Sequence, residues 1–332
     1  MTQDTAVVIL NWNGKRLMEE FLPSVATLSS GADVIVADNG STDGSVEWLK
    51  ENYPSVKVLP FKENHGFAGG YNLAIKTLEE YKYIVLLNSD VEVTENWIAP
   101  LKEFMLANPD VAACQPKLKS YTNKDMFEYA GAAGGFIDKY GYPFCRGRVF
   151  DTTEKDLGQY DGEPKDIFWA TGAALMVERE SYLAVGGLDP DFFAHMEEID
   201  LCWRMHLRGK RVVVVPQSVA YHLGGGTLAA GNPRKTYLNF RNNLFMLYKN
   251  LPIKEGRRLI FKRKLFDGLA ACLFLAKLSF GEVKSVWRAH RDFEKGKARY
   301  INQPSINILK QFPESNRSVV VDYYLKGKRH FY

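Results

Sequence analysis

The sequence predicts an α/β protein built on a mainly parallel sheet with helices on both faces. Three observations carry that prediction. Short apolar β runs alternate with helix-length segments through the first 120 residues, and this spacing suits strand, crossover helix, strand. The first two runs end in a polar Asn or Asp followed by turn residues. The run Tyr83-Ile84-Val85-Leu86-Leu87 reads as a fully buried central strand, with Asn88-Ser89-Asp90 at its carboxyl end.

Taken in order, residues 6–11 form an apolar β run that ends in the turn signal Trp12-Asn13-Gly14, and a helix follows to about Leu28. Residues 33–38 give a second strand ending in Asp38. The loop from Asn39 to Ser45 is rich in helix-capping residues and precedes a helix over 46–52. Residues 56–59 are a third strand, and Asn64-His65-Gly66-Phe67-Ala68-Gly69-Gly70 opens a helix to about Glu80. After Asp90 come a helix over 97–108 and a strand over 112–118. Residues 119–165 look irregular, with Gly131, Gly134, Gly135, Gly141 and Gly147, and fit a substrate loop or a plain surface excursion equally. A turn feeds a buried strand within 168–177, a helix covers 180–185, and a further helix starts near His195 and runs to about Leu207. Residues 211–216 are a strand, and Tyr221-His222 precedes the triple glycine 224–226, a hinge suited to a moving loop.

The 46% hydrophobic and 25% charged content supplies a large core on a soluble chain. The amino terminus lacks a basic segment with an apolar run of signal-peptide length, which places the protein in the cytoplasm. Cys114, Cys145, Cys202 and Cys272 form no CxxC pair and read as ordinary buried thiols. Charge divides the chain. Residues 251–332 hold 18 Lys and Arg against 7 Asp and Glu, and residues 1–250 hold 25 against 32. The expected division is therefore a catalytic domain over 1–250 and a basic, mainly helical region over 251–332. An acidic first part also argues against nucleic-acid binding.

The chemistry belongs at the carboxyl edge of the strands, where open α/β sheets bind ligands. A carboxylate at Asp90, with the amide of Asn88 two residues earlier, suits a hard divalent cation bridging nucleotide phosphates, although Asn-Ser-Asp alone is also a common turn. Asp38 can accept hydrogen bonds from a nucleobase or ribose, and the glycines of 66–70 let backbone approach a ligand. They match neither GxxxxGK[ST] nor GxGxxG, so ATPase and dinucleotide readings fall. Glu197, Glu198 and Asp200 crowd one helix start. Acids there stabilise a helix through its dipole, and Asp200 with Arg204 is an i,i+4 pair, but three so close also favour a raised carboxylate pKa or a polar ligand. Arg241 is placed to reach a diphosphate.

These segments together resemble the family 2 glycosyltransferases, inverting enzymes of the GT-A fold, and most closely their rhamnosyltransferase-like members. The resemblance rests on residues 8–14, 36–45, 64–72, 87–90, 187–193, 197–204 and 221–222, in the family's order across about residues 5–245. It implies that Asp38 holds the base of a nucleotide-sugar, with Asn11, Asn13, Asn64, Gly66, Asn88, Ser89 and Arg241 lining the donor site. It implies that Asp90 and His222 ligate Mg²⁺ or Mn²⁺ on the diphosphate, and that Glu198 is the catalytic base. Glu197 and Asp200 stay open as alternative bases or acceptor contacts.

Two positions depart from the family pattern. Asn88 replaces the first acid of Asp-x-Asp, which removes one negative charge from the metal site, and Glu198 stands where the base is usually Asp. The implied reaction takes a sugar from dTDP-rhamnose or a UDP-sugar to a lipid-linked saccharide acceptor in cell-surface polysaccharide synthesis. A sugar-phosphate nucleotidyltransferase would need a Gly-rich loop with Arg and Lys near the first strand, which residues 11–16 supply poorly. A nucleotide-sugar-binding pseudoenzyme finds encouragement only in Asn88. At the basic end, residues 257–276 join a cationic cluster to an apolar helix too short to span a bilayer, suited to peripheral contact with the inner membrane face or to packing on a second subunit as a homo-oligomer.

Overall fold

The computed structural model describes residues 3–224, 232–300 and 303–331. Strands β1 (Thr5–Asn11), β2 (Asp33–Asp38), β3 (Lys57–Pro60) and β4 (Tyr83–Leu87) alternate with helices α1 (Lys15–Leu28), α2 (Ser45–Asn52) and α3 (Gly66–Thr77) as predicted. They pair in parallel in the order β4-β1-β2-β3, with Asn11 opposite Asp38. Further on are β5 (Val91–Val93), α4 (Ile98–Ala107) and β6 (Val111–Ser120), followed by β7 (Gly135–Ile137), β8 (Pro143–Cys145), β9 (Arg148–Val149), β10 (Thr152–Thr153) and β11 (Lys165–Asp166). The chain continues through β12 (Ala174–Glu178), α5 (Arg179–Ala184), α6 (Glu197–Leu207), β13 (Arg211–His222), α7 (Pro233–Asn250), α8 (Ile253–Ala276), α9 (Phe280–Gly296) and α10 (Val319–Tyr324).

The main sheet runs β11-β13-β6-β12-β4-β1-β2-β3, with β5 on β13. It is mainly parallel, and β12 lies antiparallel between β4 and β6. Side chains of α1, α2 and α4, among them Met18, Leu49 and Leu101, cover one face. The other face is packed by α3, α6 and α7 through residues such as Tyr71, Trp203 and Met246. Ile260, Phe293, Leu309 and Val319 join that second core, so side chains on both sides of residue 250 share it.

Two expectations change. The span 119–165 is not plain loop: β7 to β10 form a second, antiparallel sheet in the order β10-β9-β8-β7. Its strands hold two or three residues each, too few to show a period of two. Its glycines mark close packing as well as turns, since a Cβ on Gly135 would lie 2.0 Å from the Trp169 indole. Secondly, Cys114, Cys145 and Cys202 are buried but Cys272 is exposed on α8.

Candidate active site

The site forms where strand ends of the main sheet deliver polar loops to one edge. Asn11 is buried at the end of β1 and donates through Nδ2 to Asp38 Oδ1 at 2.9 Å and to Ser41 Oγ at 3.1 Å. Asp38 Oδ2 accepts from the Ser41 amide at 3.0 Å, so each carboxylate oxygen has one protein partner and retains a lone pair. Asn13, at φ 50°, ties the same loops: its Oδ1 accepts from the Thr42 amide at 2.8 Å. Asn64 Oδ1 accepts from the Gly66 amide at 2.8 Å and from Asn39 Nδ2 at 3.0 Å. Asn39 also donates to Gly66 O and accepts from the His65 amide at 2.9 Å. This buried amide joins the β2 and β3 loops, a role the sequence reading missed although Asn39 sits beside Asp38. Gly66 has φ 71°, a backbone conformation that favours glycine, and a Cβ there would lie 3.2 Å from the exposed Phe193 ring.

Asp90 and His222 meet because β5 pairs antiparallel with the end of β13, setting His222 opposite Val91. The predicted strand at 211–216 runs on to His222 through a register slip against β6 between Val215 and Val219, and that extension makes the pairing. His222 Nε2 lies 3.1 Å from Asp90 Oδ1, and Nδ1 lies 3.2 Å from Glu128 Oε1. Burial alone would push the imidazole down, but the two carboxylates push it up to about 10. Glu128 comes from the segment read as irregular, and nothing in its sequence context marks it. Burial works against ionisation of Asp90, yet hydrogen bonding and charge from His222 hold its carboxyl below the ordinary range.

Asp90 Oδ1 and His222 Nε2 share a hydrogen bond, and a divalent ion held by both would displace its proton. Their 3.1 Å separation is close to the edge of an octahedron with bonds of about 2.1 Å. Among the described residues no group of three or more His, Cys, Asp or Glu side chains forms a metal cage. Diphosphate oxygens and water would complete such a site. Asn88 donates its amide to Ala173 O at 2.9 Å, and Asn88 and Ser89 are both half-buried beside this pair. Gly225, Gly226 and Thr227 of the expected hinge lie outside the described residues.

Glu198 enters from the start of α6. A Cβ on Gly172 would lie 3.6 Å from Glu198 Cβ and 3.5 Å from Phe67, so the Gly172-Ala173 segment touches both the Asn88 loop and Glu198. Desolvation pushes the half-buried Glu198 carboxyl up to about 7. Glu197 is buried with Oε2 unpartnered; desolvation first and then the neighbouring Glu198 and Asp200 raise its pKa well above the ordinary value.

Asp200 is fully buried. Its oxygens accept from Arg204 Nε at 2.8 Å, Lys249 Nζ at 3.1 Å and Asn250 Nδ2 at 2.7 Å. Of the readings open for it, the ion pair is the one this geometry supports, because the carboxylate is fully buried among these donors. Arg241 differs from expectation in the same way. Its guanidinium donates to Asp191 O at 2.9 Å and Phe192 O at 3.1 Å, so it grips the turn before α6 and does not stand free for a diphosphate. Asn242 Nδ2 reaches Phe192 O, Ala194 O and His195 O within 2.9 Å. The grip matters because Phe193, His195 and Met196 all have positive φ, a conformation that persists only when its surroundings impose it. Asn242→Ala is expected to let the turn relax and to lower kcat by up to about 100-fold through misplacement of Glu198. Donor affinity should stay unchanged, which steady-state kinetics beside donor titration would check.

The family described as glycosyl transferase family 2 matches residues 6–158. An N-acetylglucosaminyl-diphospho-decaprenol L-rhamnosyltransferase of Mycobacterium tuberculosis is 27% identical over 240 residues, covering 67% of this chain and 76% of the relative. The structure is similar to GalNAc-T7 with UDP, GalNAc and Mn²⁺, at TM-score 0.57 and 18% identity over 75% of this chain, which spans 48% of that protein. It is also similar to a mannosyltransferase of Pyrobaculum calidifontis in complex with GDP-Man and Mn²⁺, at TM-score 0.53 and 13% identity, covering 87% of this chain and 86% of the other. These structural likenesses establish a shared GT-A glycosyltransferase fold.

Proposed function

We propose that this chain, a family 2 glycosyltransferase, moves one sugar from dTDP-rhamnose or a UDP-sugar to a lipid-linked saccharide, with inversion at the transferred carbon. Catalysis is assigned to residues 1–250. The observation that supports the reading is the Gly172-Ala173 segment, where Ala173 O accepts from the Asn88 backbone N–H at 2.9 Å and the space beside Gly172 is bounded by Glu198 Cβ. Asp38 and the Asn11, Asn13, Asn64 and Gly66 loops form the nucleotide pocket, with Asn88 and Ser89 at its phosphate end. Asp90 and His222 would hold Mg²⁺ or Mn²⁺, and such an ion would supply charge stabilisation to a departing diphosphate.

In this reading Glu198 takes the proton of the acceptor hydroxyl as its oxygen bonds to the anomeric carbon, and the bond to the nucleoside diphosphate breaks on the opposite face. The relative that transfers L-rhamnose to N-acetylglucosaminyl-diphospho-decaprenol supports a rhamnosyl donor and a saccharide acceptor on a lipid diphosphate. Thermal shifts with dTDP, UDP, GDP and CMP, each with and without Mn²⁺, test it. One diphosphate at about 100 times its Kd should stabilise the protein by about 2.7 kcal/mol in the presence of Mn²⁺. Asp90→Ala should abolish the metal-dependent part. No shift with any of them would count against the donor site.

A further inference from the structure

The α8–α9 hairpin ends in a projection with no buried residue, touching the rest of the chain at Gly281 beside Pro233. From Gly268 to Lys284 no residue is buried, although α8 packs inward through Gly256, Ile260, Arg263 and Asp267 and α9 through Ser285, Val286 and Ala289. The projection is apolar. Leu269, Leu273, Leu275, Leu278 (74% exposed) and Phe280 (64%) crown it, and Trp287 (62%) stands at its shoulder. Leu278 adopts φ 56°, a left-handed position where glycine is the usual residue, and there an exposed leucine carries the reversal of the chain.

Residues 253–296 hold eleven Lys and Arg against five Asp and Glu, and Arg257, Arg258, Lys262, Lys284, Arg288 and Arg291 are exposed below the tip. We propose that this tip inserts into the interfacial layer of an anionic lipid bilayer, with the basic fringe on the headgroups. Length agrees. The nine helical residues 268–276 rise about 13 Å, enough for one leaflet and not for a crossing. No helix among the described residues is long and apolar enough to span a membrane. Charge selects lipid over a second copy of the chain. A twofold contact through this tip would set the cationic fringe against itself, whereas anionic headgroups attract it. The inference does not depend on the catalytic assignment, because vesicle binding needs no donor or acceptor.

Flotation of the purified protein with vesicles of phosphatidylglycerol and phosphatidylcholine in equal parts, and of phosphatidylcholine alone, tests the proposal. The protein should float with the anionic vesicles only, and added salt should release it. Leu273→Glu combined with Leu278→Glu should weaken binding at least about tenfold. Because Leu273 and Leu278 are both exposed, the melting temperature should stay unchanged. Failure of the wild type to bind, or undiminished binding by the variant, would overturn the proposal. So would a wild-type dimer that ignores vesicles and that the double substitution converts to monomer, since the tip would then be a subunit contact.

Discussion

Glu198→Gln is expected to lower kcat by about 10²–10⁴, the contribution of a positioned general base, while donor affinity stays within about twofold. The side chain keeps its shape and loses only the capacity to take a proton. The pH dependence follows from the same group. Glu198 serves as a base only when ionised, and desolvation pushes its carboxyl up to about 7, so kcat/KM should rise through neutral pH and level off above it. The Gln variant should lose that rise. Glu197→Gln is the control. Glu197 is buried, and desolvation with the neighbouring acids pushes its carboxyl well above the ordinary range, so an isosteric amide is a mild change there and kcat should fall by less than about tenfold. If the two variants traded effects, Glu197 would be the base. A wild-type rate flat through pH 7 would remove the carboxylate mechanism for either residue.

The repeated unit of strand, polar loop and helix is legible because it is local. An apolar run followed by Asn or Asp places Asn11, Asp38 and Asp90 at strand ends without knowledge of any partner. Asn39 was within reach of the same argument, since it follows Asp38 directly, but its function is to bind Asn64, Gly66 and His65 across another loop. Glu128 was beyond reach. It meets His222 only because β13 continues past its apolar run and pairs with β5, and both facts are tertiary. The small sheet was hidden for a related reason. Strands of two or three residues have no readable period, and glycines that clear space for Trp169 and Phe127 look like turn formers. Arg241 shows the opposite error: a cation near a presumed diphosphate invites a ligand role, but the backbone carbonyls of a strained turn claim it first.

Asp200→Asn is expected to lower the free energy of unfolding by about 3–5 kcal/mol at neutral pH, the usual consequence of removing one partner from a buried ionic cluster. Burial works against the Asp200 carboxylate, yet Arg204, Lys249 and Asn250 hold its pKa below the ordinary range. A depressed folded-state pKa gives stability that is present above the ordinary carboxylate value and lost as pH falls through the folded one. Urea midpoints of wild type and variant should therefore converge in acid. Lys249 also pairs with Asp189 at 2.6 Å, and Tyr300 donates to Asp189 at 3.0 Å, so the cluster links α6, the turn before it and the carboxyl-terminal helices. Adding Lys249→Met to Asp200→Asn should cost less than the sum of the two single changes, because each exposes the other's unpaired charge. Loss of the cluster should loosen the turn that aims Glu198, so kcat should fall together with stability. Glu198→Gln should lower kcat with stability intact. That contrast separates the group that exchanges the proton from the group that holds it in place, and equal stability losses in both variants would refute the division.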